Sequence, residues 1–135
     1  MTGLRVLVVD DEAVVRSWLR SALDAAGDGA DLHEAVDCAQ ALKIVARARP
    51  DVVVVDDGLD DHHGIALCRR IRARRPDIAL VLLTSFDDAV ATRTVRLADA
   101  DGYVLRDLRD GDLGQALRSA VSSRAGRTAS PRLLT

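Results

Sequence analysis

A chain of 135 residues, 48% hydrophobic and 30% charged, can bury about two-thirds of its unfolded surface in one core, so a single domain needs no staples to fold. Its formal net charge of -2 offers no basic surface for nucleic acid, and no run approaches the roughly 18 apolar residues of a membrane span. The N-terminus also lacks the charged-then-apolar form of a secretory signal, and the chain is expected in the cytoplasm.

Leu4 to Val9 reads as an apolar strand that gives way to Asp10, Asp11 and Glu12. Val14, Val15, Trp18, Leu19, Ala22 and Leu23 then recur at spacings of three and four, one face of a helix that Gly27 is placed to stop. Leu32 to Val36 is short and carries His33 and Glu34, as an edge strand with one wet side does. Asp37 is set to cap a helix over Cys38 to Arg49, with Ala41, Leu42, Val45 and Ala46 on one face, and Pro50 ends it. Four consecutive valines, Val52 to Val55, fit a strand buried on both faces; it stops at Asp56 and Asp57, followed by Gly58 and a polar loop.

From Gly64 a third helix carries Ile65, Leu67, Cys68 and Ile71 and closes in the basic run Arg69 to Arg75, whose cations complement the helix macrodipole. Ile78 to Leu83 is a fourth apolar strand, ending at Thr84 and Ser85. The helix expected over Asp87 to Ala98 has only Val90, Val95 and Leu97 as large hydrophobes and is loosely held. Tyr103 to Leu105 ends at Arg106 and Asp107, and a last helix covers about Asp110 to Ser122, with Gly114 as a weak point. Residues 124–135 hold three arginines and no acid, and read as a linker after a domain of residues 1–123. Cys38 and Cys68 match no zinc or redox spacing and read as reduced core cysteines.

Five strand–helix pairs in alternation imply an α/β fold, a doubly wound parallel sheet with right-handed crossovers. The first, third and fourth strands are the most uniformly apolar and belong in the centre; the second and fifth belong at the edges. That selects the order 2-1-3-4-5, with a crevice at the switch point between strands one and three. Asp10, Asp11 and Asp56 then flank that crevice, and Thr84, Ser85 and Arg106 arrive at the same edge. Carboxylates brought within about 5 Å repel by roughly 3 kcal/mol per pair at an effective dielectric of 20. A divalent cation reverses that cost, and hard oxygen ligands of this kind suit Mg²⁺. On this reading Asp56 is a nucleophile toward a phosphoryl group, with Thr84 and Arg106 as donors to the transferred oxygens.

These motifs resemble the receiver domain of bacterial two-component response regulators, over Leu4 to about Arg124, with its five-stranded flavodoxin-like (βα)5 fold. VVDDE is similar to the family's acidic pair and implies Asp11 as a direct Mg²⁺ ligand and Asp10 as a water-bridged one. PDVVVVD resembles the phospho-acceptor strand and implies Asp56 as the acceptor, with the backbone carbonyl of Gly58 as a further metal ligand. LLTS implies Thr84 as a switch residue beside Ser85, and GYVLR implies Tyr103 as the switch aromatic. GIALCRRIR and DGYVLRDL are similar to the subfamily with a C-terminal LuxR-type helix-turn-helix; residues 124–135 would then lead into an output domain that this chain does not contain. The resemblance implies a signalling module rather than a turnover enzyme. Its partners would be a sensor histidine kinase, a second copy of the chain and, through the output domain alone, DNA.

Four positions depart from the family pattern. Arg106 replaces a lysine, Asp60 a proline and Asp99 a small glycine, while Asp57 adds a negative charge beside the acceptor. Arg106 either binds the phosphoryl group or pairs with Asp56 and fills the site. The second case describes an atypical receiver, a dimerisation module that is constitutive or ligand-controlled and has no phosphate cycle. Asp60 to His63 reads as a solvated loop rather than an accessory metal site. An aspartate-based phosphohydrolase needs two aspartates separated by one residue and followed by threonine, which the adjacent pair does not supply. Dinucleotide and P-loop functions lack a glycine-rich turn after strand one.

Overall fold

The computed structural model describes residues 3–26, 29–59, 63–85, 88–106 and 110–129. Its elements alternate as expected: β1 Arg5–Val9, α1 Ala13–Ala26, β2 Asp31–Ala35, α2 Cys38–Ala48, β3 Val52–Asp56, α3 Gly64–Arg74, β4 Ala79–Thr84, α4 Asp88–Ala98, β5 Gly102–Leu105 and α5 Asp110–Ala129. The strands form one parallel sheet in the order β2-β1-β3-β4-β5. Apolar uniformity decides that order, because only a strand covered on both faces tolerates valine or leucine at every position. Accordingly β3 and β4 are buried throughout, whereas β2 and β5 remain half-exposed at the rims.

Side chains alternate between two apolar layers. Leu7, Val9, Val53, Val55, Leu80 and Leu82 face α2, α3 and α4, while Val6, Val8, Val52, Val54, Val81 and Leu83 face α1 and α5. On α1 the buried residues are Leu19, Ala22 and Leu23, with Val15 and Trp18 at the margin; Val14, expected on the same face, is 80% exposed. On α4 the large residues Val90 and Leu97 point outward, and Ala91, Ala98 and Val95 make the packing. So little apolar area under α4 places it at the weakly held end of the structure.

Asp37 caps α2: its backbone is extended and its Oδ1 accepts from the Gln40 N–H at 2.8 Å. Asp99, the residue standing where the resemblance suggests glycine, takes a left-handed φ of 56° just past α4, a conformation aspartate tolerates better than most side chains. Cys68 is buried, which pushes its thiol up to about 12 and leaves it inert, and both cysteines are free.

Two further features differ from the periodicity reading. The basic run that closes α3 is not wholly a solvated helix end, since Arg72 is buried and donates to the carbonyls of Pro76 at 3.0 Å and Ile78 at 2.6 Å and to Asp101 at 2.9 Å. Helix α5 also runs on to Ala129, beyond the Ser122 expected. Arg124, on that extension, reaches back to Asp101 at 2.7 Å, a tertiary anchor that no helical period announces. Residues 130–135 and the expected stop at Gly27 lie outside the described residues.

Gly64 opens α3 directly against the end of β3. A Cβ at this position would overlap the backbone carbonyl oxygen of Asp56 and lie 3.2 Å from the Asp57 Cα. Gly64→Ala is therefore expected to destabilise the protein by about 1–3 kcal/mol, the range for overpacking against backbone that cannot yield, measured by urea unfolding.

Candidate functional site

Asp10 and Asp56 each lie two residues beyond Val8 and Val54, which are register partners on adjacent strands. Continuing the same alternation, the two carboxylates arrive side by side at the carboxyl edge. Asp11 joins from the loop after β1, and ligand oxygens of Asp10, Asp11 and Asp56 lie within 4.8 Å of one another. Asp10 and Asp56 are buried and Asp11 is exposed, so the cluster opens to solvent on one side.

Across from it stands Arg106, directly after β5. Its Nη2 is ion-paired with Asp56 Oδ1 and lies 3.9 Å from Asp10 Oδ2, and its Nη1 lies 3.7 Å from Glu12 Oε1. Its backbone N–H donates to the Thr84 carbonyl at 3.0 Å, which fixes the end of β5 against the end of β4. Thr84 is buried at that junction and Ser85 is exposed beside it. Tyr103 is half-buried on the face toward α4, and Gly58 donates its backbone N–H to the Asp56 carboxylate. The structure thus gathers Asp10, Asp11, Asp56, Gly58, Thr84, Ser85 and Arg106 at one corner, with Tyr103 set back along β5 as the register partner of Leu82. Asp60, Asp61 and His62, on which the accessory-metal alternative turned, lie outside the described residues.

Burial dominates the electrostatics. It raises the Asp10 carboxyl to about 6; the Glu12 N–H at 2.8 Å opposes that shift, Asp56 reinforces it and Arg106 opposes it. Asp56 also lies above the ordinary carboxylate value, because burial outweighs the Arg106 charge and its hydrogen bond. For Arg106, burial works against the charge, but Asp56, Asp10 and Glu12 together hold its proton more firmly than usual.

A divalent cation fits this donor set. Hard oxygens converge, and Asp10 Oδ2 is buried with no hydrogen-bond partner. A buried carboxylate oxygen that accepts no hydrogen bond costs free energy, and Arg106 Nη2 at 3.9 Å is beyond hydrogen-bond reach, which leaves room for a cation to complete it. Two contributors went unread in the sequence. Glu12 pairs with Arg106, although its position after the acidic pair hinted at it. Arg16 donates to the Asp10 carbonyl at 2.8 Å, for which the sequence holds no signal.

A family model described as the response regulator receiver domain matches residues 6–118. The DNA-binding transcriptional activator DevR/DosR of Mycobacterium tuberculosis is 38% identical over 122 residues, covering 90% of this chain and 56% of that protein. The response regulator MprA of Mycobacterium leprae is 38% identical over 102 residues, covering 75% of this chain and 43% of that protein. Among solved structures, a two-component response regulator of the LuxR family from Aurantimonas sp. SI85-9A1 matches with a TM-score of 0.80 at 27% identity, covering 91% of this chain and 88% of that one. The chain spans from about a third to just over half the length of the first curated relatives it matches. No helix among the described residues is long and apolar enough to cross a membrane.

The Asp10 shift carries a signed pH dependence. A carboxyl raised from 3.8 to about 6 contributes stability that is complete below about pH 3.8 and is lost as pH rises through about 6. In chelator-treated buffer, Asp10→Asn is expected to exceed the parent in unfolding free energy by about 3 kcal/mol at pH 7, and the difference should shrink toward pH 4. Equal stabilities at both pH values would mean that Asp10 ionises as it does in water.

Proposed function

Because the chain belongs to the response regulator receiver domain family, we propose that Asp56 accepts a phosphoryl group from a sensor histidine kinase or a small phosphodonor, with Mg²⁺ bound at Asp10, Asp11 and Asp56. The observation that carries this reading is a buried Asp10 Oδ2 that accepts no hydrogen bond, within one cluster with a buried Asp56 and with Asp11, so that the Arg106 guanidinium 3.9 Å away is its only ion-pair partner among the described residues. Asp11 would hold the ion directly, Asp10 through water, and the Gly58 carbonyl would complete the protein ligands. Bound there, the ion supplies the positive charge that lets a carboxylate approach a phosphoryl group.

The chain's own residues do the rest. A carboxylate oxygen of Asp56 forms the new O–P bond while the donor's P–N or P–O bond breaks and its electron pair leaves with the donor. Arg106 gives up its contact with Asp56 and donates to the incoming phosphoryl oxygens, and the Thr84 hydroxyl donates to another. Once Thr84 and Arg106 follow that charge, the ends of β4 and β5 move, and with them Tyr103 and the weakly packed α4. Phosphorylation thereby shifts the balance between two arrangements of one face. The output is a homodimer and, in a longer protein with a LuxR-type output domain, control of DNA binding in the cytoplasm. The protein acts as a switch and not as a turnover enzyme.

A second reading draws on one specific observation, the ion pair between Arg106 and Asp56. In that reading Arg106 is the resident cation, and the chain is a dimerisation module without a phosphate cycle.

Intact mass after incubation with Mg²⁺ and a small phosphodonor separates the two. The parent is expected to gain one phosphoryl group and Asp56→Asn none. Arg106→Met should gain it at least about tenfold more slowly, the loss of one charge-assisted hydrogen bond. Mg²⁺ at about 100 times its dissociation constant should stabilise the parent by about 2.7 kcal/mol. A folded parent with neither mass gain nor stabilisation supports the module without a phosphate cycle.

A further inference from the structure

Asp10 is held at every polar atom except one. Its N–H donates to the Ala35 carbonyl at 3.1 Å, its carbonyl accepts from Arg16 Nη1 at 2.8 Å, and its Oδ1 accepts from the Glu12 N–H at 2.8 Å. Only Oδ2 lacks a hydrogen-bond partner. Among the described residues, Arg16 is the side chain seen to hydrogen-bond to the Asp10 backbone. It is itself pinned, since its Nε donates to Glu34 Oε1 at 3.1 Å and its side chain is only 17% exposed. Glu34, on the edge strand β2, also pairs with Arg20.

We propose that Arg16 is a positioning residue for the acidic pocket, fixing the Asp10 backbone so that Oδ2 stays turned toward an incoming cation, with Glu34 holding Arg16 in place. Nη1 and Nε project in different directions from a planar group, so one guanidinium braces the Asp10 carbonyl against β2. A lysine keeps the charge but has one nitrogen and no such geometry. Glu34 has a second effect: it occupies the Arg16 charge with a carboxylate of its own, while Nη1 goes to the Asp10 carbonyl and not to its carboxylate. This inference rests on the reading of Asp10 as part of a Mg²⁺ site.

Calorimetric titration of Mg²⁺ alone into the parent and into Arg16→Met, Arg16→Lys, Glu34→Gln and Arg20→Gln tests it, with melting temperatures in chelator as the measure of fold. Arg16→Met and Arg16→Lys are expected to bind Mg²⁺ five- to tenfold more weakly, Glu34→Gln a few-fold more weakly, and Arg20→Gln within twofold of the parent. At saturating Mg²⁺ the rate of phosphoryl gain in the Arg16 variants should return toward that of the parent. The methionine variant is decisive in sign, because removing a nearby positive charge by itself tightens cation binding. Tighter binding in Arg16→Met, or parental affinity in Arg16→Lys, overturns the positioning role, as does a lower melting temperature with unchanged affinity. A parent that binds no Mg²⁺ overturns the metal reading itself.

Discussion

The corner at the carboxyl edge is governed by one charge balance: three aspartates with oxygens within 4.8 Å of one another face a single guanidinium, Arg106. Parallel pairing of β1 with β3 forces Asp10 and Asp56 together, and neither can turn away without leaving the alternation that buries Val8 and Val54. Burial raises both carboxyls, and Arg106 only partly offsets the shift. Such a site is incomplete as an electrostatic object. A further cation, or movement of the arginine, changes the energy of the whole sheet edge.

The opposite end of the sheet provides the contrast. The Asp101 side chain is equally buried, but each of its carboxylate oxygens is satisfied: Oδ2 accepts from Arg72 and the Leu80 N–H, and Oδ1 accepts from Arg124. That network joins α3, β4, the start of β5 and the end of α5. Fully satisfied buried polar groups rigidify a fold, whereas Asp10 Oδ2 and Asp57 Oδ2 are buried without a hydrogen bond. Asp10 and Asp101 thus differ in their hydrogen bonds, although their side chains are equally buried.

Much of this was legible beforehand. The uniform apolar runs of β3 and β4 against the mixed β2 and short β5 suffice for the strand order, because burial on two faces demands a composition that burial on one does not. Residues that end strands, such as Asp10, Asp56, Thr84 and Arg106, are legible for the same reason, since a parallel sheet delivers all its strand ends to one edge. Periodicity did worse on helices. It put Val14 inside, where α1 leaves it exposed, and stopped α5 at Ser122, because a period describes a face and not the neighbour that covers it.

From the sequence alone came the alternation of elements, their order in the sheet and the set of groups at its edge, all consequences of local pattern and chain connectivity. Tertiary structure alone decided which atoms meet. Arg106 pairs with Asp56 and reaches Glu12, Arg16 donates to the Asp10 carbonyl and to Glu34, and Arg72 turns inward to Asp101. Long, flexible arginine side chains leave no period in a sequence. Their partners are chosen by distance and burial, which exist only once the chain has folded.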